Sequence, residues 1–196
     1  MIQLREKFRD TRIILASASP RRRHLLEELG LSFGVYDRND IDETFPPGLS
    51  REEIPLYLAE KKSLALDSLL DGNTLLITAD TIVWCRGRVI NKPSDREDAI
   101  RILGELSGRK HKVYTGVCIR SSSRSLSFHS VTSVWFRKLS ADEITYYVDR
   151  YEPYDKAGAY GIQEWIGYAG IRSIRGSFFN VMGLPVEKLY RKLRDF

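Results

Sequence analysis

A chain of 196 residues that is 42% hydrophobic and 11% aromatic has ample apolar material for a core, which excludes global disorder and suggests one substantial domain or two intimate lobes. Its 31 Lys and Arg against 26 Asp and Glu leave a net charge of +5 and a pI near 9.2, a surplus that permits an anionic partner without demanding one. No run approaches the roughly 18 apolar residues of a membrane span, and Arg5, Glu6 and Lys7 place charge where a secretory signal needs apolar residues.

Ile13-Ile14-Leu15-Ala16 is short, apolar and bounded, which predicts a buried strand. It runs into Ser17-Ala18-Ser19-Pro20, a helix start with Ser19 as N-cap and Pro20 as first helical residue. Leu25, Leu26 and Leu29 recur at helical spacing and Gly30 stops the helix. A second strand is expected over Ser32 to Tyr36, then an acidic, proline-bearing loop from Asp37 to Ser50. Ser50-Arg51-Glu52-Glu53 resembles a capping box for a helix running to about Leu70, followed by a turn at Asp71-Gly72-Asn73. Leu75 to Ala79 predicts a central strand with Asp80-Thr81 at its C-terminal end. Ile82 to Cys85 and Arg88 to Ile90 form a hairpin across Arg86-Gly87.

Ser94 is expected to cap a helix with Ala99, Ile102, Leu103 and Leu106 on one face. Two β-patterned stretches follow near 111–120 and 126–137, separated by three serines at 121–123. Ser140-Ala141-Asp142-Glu143 opens a helix to about Arg150. The Gly-, Tyr- and Ala-rich stretch 153–170 predicts a loop with short helical turns. Arg172 to Ile174 predicts a strand, and Pro185 starts a terminal helix. Helices and strands mix throughout, so the class is α/β with a mixed sheet.

Four segments could carry chemistry. A strand feeding a helix start at Ser17 to Arg23 offers free N–H groups, a partial positive charge, hydroxyls and guanidinium forks that suit a phosphate; the alternative is a capped helix with solvated arginines. Asp80 sits where open α/β sheets place ligand-facing groups. Together with Glu43, from Asp40-Ile41-Asp42-Glu43, it could hold magnesium, or it could simply cap a turn. Lys62 and Lys92 are point charges for phosphates or solvated surface groups. Lys156 to Gln163 combines small residues, which let backbone approach a ligand, with an amide able to pair with a base edge; its alternative is a tight structural loop.

Other readings fail on spacing. Gly104 to Lys110 lacks the Walker pattern, no G-x-S-x-G exists, and His24, His111 and His129 form no zinc pattern, so His111 is expected to be a strand residue rather than a catalyst. Cys85 and Cys118 have no metal-ligand spacing and are too few for a disulfide scaffold, which predicts a reduced, cytoplasmic setting.

Leu15-Ala16-Ser17-Ala18-Ser19-Pro20-Arg21-Arg22 resembles the opening motif of the Maf family of nucleoside triphosphate pyrophosphatases. The resemblance continues through Ala79-Asp80-Thr81, Lys92-Pro93, Leu106-Ser107-Gly108, Tyr114-Thr115-Gly116, Asp155 to Gln163, Gly176-Ser177 and Val181 to Pro185. It implies one Maf-like domain over 1–196, with 1–11 as an N-terminal extension. The implied fold is a two-lobed, mixed-sheet α/β fold of the inosine-triphosphatase type with a cleft between lobes. The implied activity is hydrolysis of a triphosphate to monophosphate and pyrophosphate with a divalent cation, Mg2+ or Mn2+, in a homodimer.

By matching position, Ser17, Arg21, Arg22, Lys62 and Lys92 would hold the triphosphate. Glu43 and Asp80 would sit at the metal and water, with Asp80 as proton acceptor, and Arg21, Thr81 and Gln163 match positions associated with base choice. The Lys156 to Gln163 block looks like the branch acting on dTTP and UTP. The chain departs from the pattern at His24, at Lys61 where an acid usually stands, and at Glu164 where glycine often follows the glutamine. A non-catalytic nucleotide-binding regulator of cell division is the alternative function. A nucleic-acid-binding protein ranks below both, because the basic residues are scattered and no recognised motif is present, and no membrane partner is expected.

Overall fold

The computed structural model of the chain describes residues 2–37 and 41–196. In chain order these form α1 (Ile2–Lys7), β1 (Arg12–Ala16), α2 (Pro20–Glu27), β2 (Gly34–Val35), α3 (Glu53–Leu64), β3 (Thr74–Cys85), β4 (Arg88–Ile90), α4 (Arg96–Leu106), β5 (Lys110–Arg120), β6 (Ser125–Phe136), α5 (Ala141–Tyr151), α6 (Trp165–Gly170), β7 (Ile171–Arg175), α7 (Phe178–Met182) and α8 (Val186–Asp195). Strands hydrogen-bond in the order β2-β1-β3-β5-β6-β7, with β4 on β3. β1 is parallel to both its neighbours, while β3–β4 and β6–β7 are antiparallel. The sheet is therefore mixed, as the alternation of patterns predicts. Residues through Asp80, with Thr115–Ser130 and Gly183–Phe196, form one compact unit; Thr81–Tyr114 and Val131–Met182 form a second.

In the first unit Ile13, Ile14 and Leu15 of β1 are all buried, as a parallel strand covered on both faces requires. Ser19 caps α2 by accepting from Arg22 N, with Pro20 in the first position, and Gly30 follows the helix with φ of 70°. The segment before residue 12 is packed in. Leu4 is fully buried, which contributes about 1.5–3 kcal/mol. Arg5 Nε donates to Gly30 O at 2.5 Å and Lys7 Nζ to Arg194 O at 2.7 Å.

Three sequence expectations shift here. The second strand is only two residues long. The capping box at Ser50 is half made: Glu53 Oε2 accepts from Ser50 N at 2.7 Å, but Glu52 is the N-cap and makes no side-chain cap bond. The helix ends at Leu64 rather than near Leu70, and a separate 3-10 turn covers Asp67–Leu69. Arg120 lies at the break: its guanidinium donates to Ser63 O at 3.2 Å, a carbonyl that also accepts from Leu66 N at 3.2 Å in an i→i+3 bond, and to the Asp67 carboxylate. Leu66, beyond the break, packs with Ile14 and Leu76. Against the first turn of α3 lies Gly116 of β5, where a Cβ would come within 2.3 Å of Pro55 backbone atoms, so only glycine permits that approach.

In the second unit β3 continues unbroken to Cys85, so the expected separate strand at Ile82 to Cys85 is the end of one 12-residue strand. It turns through Arg86 and Gly87, both at positive φ, into β4, as the hairpin expectation had it. The N-cap of α4 is Asp95, not Ser94: Asp95 accepts from Asp98 N at 2.8 Å while Ser94 Oγ only donates to Asp95. Ala99, Ile102, Leu103 and Leu106 are buried as expected. Ser140 and Glu143 complete a reciprocal capping box on α5, worth about 0.5–2 kcal/mol at the cap residue. Residues 153–170 hold two short 3-10 turns, Pro153–Asp155 and Ala157–Ala159, and then α6.

His111 is a buried strand residue, as expected. It lies in β5 with Nε2 at 2.7 Å from Tyr160 Oη, and Phe136 and Tyr160 meet its ring edge-on at centroid distances of 5.1 and 5.4 Å. Burial pushes the imidazole pKa down to about 3 and the Tyr160 phenol up.

Candidate functional site

Register builds the site. Ala16 of β1 pairs in parallel with Thr78 of β3, so Ser17-Ala18-Ser19, leaving the C-terminal end of β1, run beside Ala79-Asp80, which lie midway along β3. Thr78 Oγ1 donates to Ala59 O at 2.7 Å and fixes α3 over β3 at that level. Two residues along a strand, and three along a helix, return to the same face. Asp80 and Lys62 therefore meet, with Lys62 Nζ 2.6 Å from Asp80 Oδ1. The same ammonium lies 2.7 Å from Glu43 Oε1. Side-chain exposure is 15% for Lys62 and 10% for Asp80 but 48% for Glu43, so the pair with Asp80 is the less screened of the two.

Arg22 ties the same corner together. Its Nη1 donates to Ala79 O at 2.9 Å and to Ser17 Oγ at 3.3 Å, and its Nε donates to Gly183 O at 2.9 Å. Ser17 Oγ also accepts from Ser19 N at 3.2 Å. Burial lowers the Arg22 pKa; the Asp80 and Glu43 carboxylates oppose that shift, and neighbouring Arg21 adds to it. The solvated-arginine alternative thus does not describe Arg22, whose guanidinium braces the turn after β1 against the middle of β3.

The acidic loop is held by a residue whose role the sequence did not disclose. Lys61 Nζ binds Asp42 Oδ2 and Thr44 O, each at 3.1 Å, so adjacent lysines grip adjacent acids. Asp42 accepts from Thr44 at both its hydroxyl and its N–H, and these bonds, with Lys61, draw its pKa down to about 2. Asp40 of the same motif lies outside the described residues. The signal for Lys61 was its own oddity, a base where the resembled pattern has an acid.

Ser17, Arg22, Glu43, Lys62 and Asp80 are thus brought together within the first unit, with Arg21 beside Arg22. Thr81, Lys92 and Gln163 belong to the second unit. Lys92 follows β4 and lines a cavity of about 200 Å3 with Arg88, Asn91, Asp98 and Arg101. Gln163 sits in the turn before α6, and its Oε1 is buried with no hydrogen-bond partner.

Two carboxylates converging on one cationic atom form the kind of donor set that an oxygen-seeking divalent ion takes, with phosphate and water completing its shell. Among the described residues no group of three or more His, Cys, Asp or Glu could do so unaided.

The family model for Maf-like proteins matches residues 12–196. A dTTP/UTP pyrophosphatase of Bacteroides fragilis is 52% identical over 184 residues, 94% of this chain and 95% of that protein. Another, of Parabacteroides distasonis, is 51% identical over 97% of this chain and 99% of its own length. Among solved structures, a HAM1 protein from Coxiella burnetii shares the fold, with a TM-score of 0.50 at 14% identity over 95% of this chain and 100% of that one.

Proposed function

The chain belongs to the Maf-like protein family, and from that premise we propose that it hydrolyses dTTP and UTP to the monophosphate and pyrophosphate. The observation that carries this reading is the Lys62 ammonium between Glu43 and Asp80, beside the helix start at Ser19. A triphosphate brings about four negative charges, and a site that hydrolyses it must supply cations to those oxygens and a carboxylate to the attacking water.

In this reading Ser17, Arg21, Arg22, Lys62 and Lys92 hold the phosphates. Arg22 does so from a fixed position, because its bonds to Ala79, Ser17 and Gly183 set its direction in advance. Asp80 Oδ1 is kept by Lys62, and Oδ2 takes the proton as water attacks the α-phosphorus. The α–β bridging P–O bond breaks, and pyrophosphate departs with its charge spread over the lysines and arginines. A divalent cation, Mg2+ or Mn2+, held by Glu43 and Asp80 would supply charge neutralisation and a more acidic water. Thr81 and Gln163 choose the base, for which the unpartnered Gln163 Oε1 is a ready acceptor for an N–H such as that at N3 of thymine or uracil.

The same reading carries a homodimer, for which exposed Phe178 and Phe179 offer apolar surface, and a cytoplasmic setting, with which two buried free cysteines agree. No helix among the described residues is long and apolar enough to cross a membrane. The test is pyrophosphate release from a panel of triphosphates with Mg2+ or Mn2+. Release from dTTP and UTP faster than from CTP or purine triphosphates is expected; no release from either contradicts the reading.

A further inference from the structure

The turn that carries Gln163 is locked by a carboxylate. Glu164 N donates to Gly161 O at 3.1 Å, closing a four-residue turn, and Gly167 N donates to Glu164 O at 2.8 Å, leading into α6. Glu164 occupies the N-cap position of α6, where a side-chain oxygen ordinarily accepts from the helix, yet it makes no such bond. Its carboxylate turns back instead: Oε2 accepts from Tyr147 Oη and Oε1 pairs with Lys156 Nζ at 3.2 Å.

Tyr147 is fully buried, and its Oη also accepts from Gly161 N at 3.0 Å. Gly161, Tyr147 and Glu164 therefore form a closed ring of hydrogen bonds around the turn. Lys156 is anchored in addition to Asp155 at 2.7 Å. The carboxylate sits close over Gly161: a Cβ there would stand 2.7 Å from Glu164 Cδ, so a side chain at 161 would displace the carboxylate. Gln163 is carried on this locked turn with its buried Oε1 unpartnered.

We infer that Glu164 is a positioning residue that holds the Gly161–Glu164 turn so that Gln163 presents its amide oxygen to the base of the substrate. The inference rests on the base-reading role given to Gln163 above. Removing the carboxylate frees the turn, so the amide must be ordered anew at each binding event, while the groups on the phosphates are untouched. That weakens binding of ground state and transition state alike and raises KM rather than lowering kcat.

The experiment measures KM and kcat for dTTP in E164A, E164Q, Q163A and the double variant Q163A/E164A, with amide hydrogen exchange over residues 161–164. E164A is expected to raise KM about tenfold with kcat within about twofold, the pattern of lost uniform binding. E164Q, which can still accept from Tyr147, should recover most of that loss. The double variant should match Q163A, because Glu164 acts through Gln163, and exchange at Gly161 should quicken in E164A. Wild-type KM in E164A, with KM raised in Q163A, overturns the positioning role and leaves base reading standing. Wild-type kinetics in Q163A removes the base-reading role itself. The lock is then decided by exchange, and a Gly161 amide as slow in E164A as in wild type overturns it.

Discussion

Replacing Asp80 by asparagine is expected to lower kcat for dTTP by about 10²–10⁴-fold, the usual contribution of a positioned general base, while the protein still folds and binds nucleotide. Asparagine keeps the shape of the side chain, and its amide oxygen can still accept from Lys62, 2.6 Å away. It cannot take a proton from water or lend negative charge to a divalent ion. Breaking a buried ion pair outright costs about 3–5 kcal/mol because a charge is left uncompensated. Here Glu43 remains 2.7 Å from the ammonium, so a smaller loss is expected and the melting temperature should stay near that of the wild type. Unfolding and activity can therefore be read apart. D80N turning over dTTP at the wild-type rate would remove Asp80 from the chemistry, and D80N failing to fold would make its part structural.

The second large effect is on stability against pH. His111 is neutral in the folded protein because burial depresses its pKa to about 3, against about 6.5 in an unfolded chain. Below pH 6.5 the unfolded state takes up a proton that the folded state refuses. This contribution is thus present in full above 6.5 and is lost as pH falls from there toward 3. At pH 4.5 the loss is about 2–3 kcal/mol, following about 1.4 kcal/mol per pH unit. Urea unfolding at pH 7.5 and 4.5 should show that difference between wild type and H111Q, in which the glutamine can still pair with Tyr160 but does not titrate. Equal pH dependence in the two proteins contradicts a neutral buried His111.

How far the sequence disclosed this structure depended on the range of the interactions involved. The turn after β1 was legible because its signals are local: an apolar run, then Ser19 at a cap and Pro20 behind it. The end of β3 was not. Asp80-Thr81 reads as a polar break, but the pairing of Val83 to Cys85 with β4 carries the strand through it. Ser94 and Asp95 are both good caps, and only the bond to Asp98 N chooses between them. Glu43, Lys62 and Asp80 could each be nominated by residue type, whereas the meeting of Lys62 with Asp80 follows from a link between Thr78 and Ala59 that no motif records. Arg22 was nominated as a ligand for phosphate; that it is braced by Gly183, 161 positions away, needs the fold. Lys61 and Glu164 stood out as departures from a pattern, and their partners, Asp42 for one and Tyr147 with Lys156 for the other, complete their meaning.

The central claim is that water attacks the α-phosphorus of a pyrimidine nucleoside triphosphate. Hydrolysis of dTTP in water enriched in 18O, with both products analysed by mass spectrometry, tests it most directly. Label in the monophosphate and none in the pyrophosphate is the predicted result. Label in pyrophosphate, or release of inorganic phosphate in its place, would contradict it.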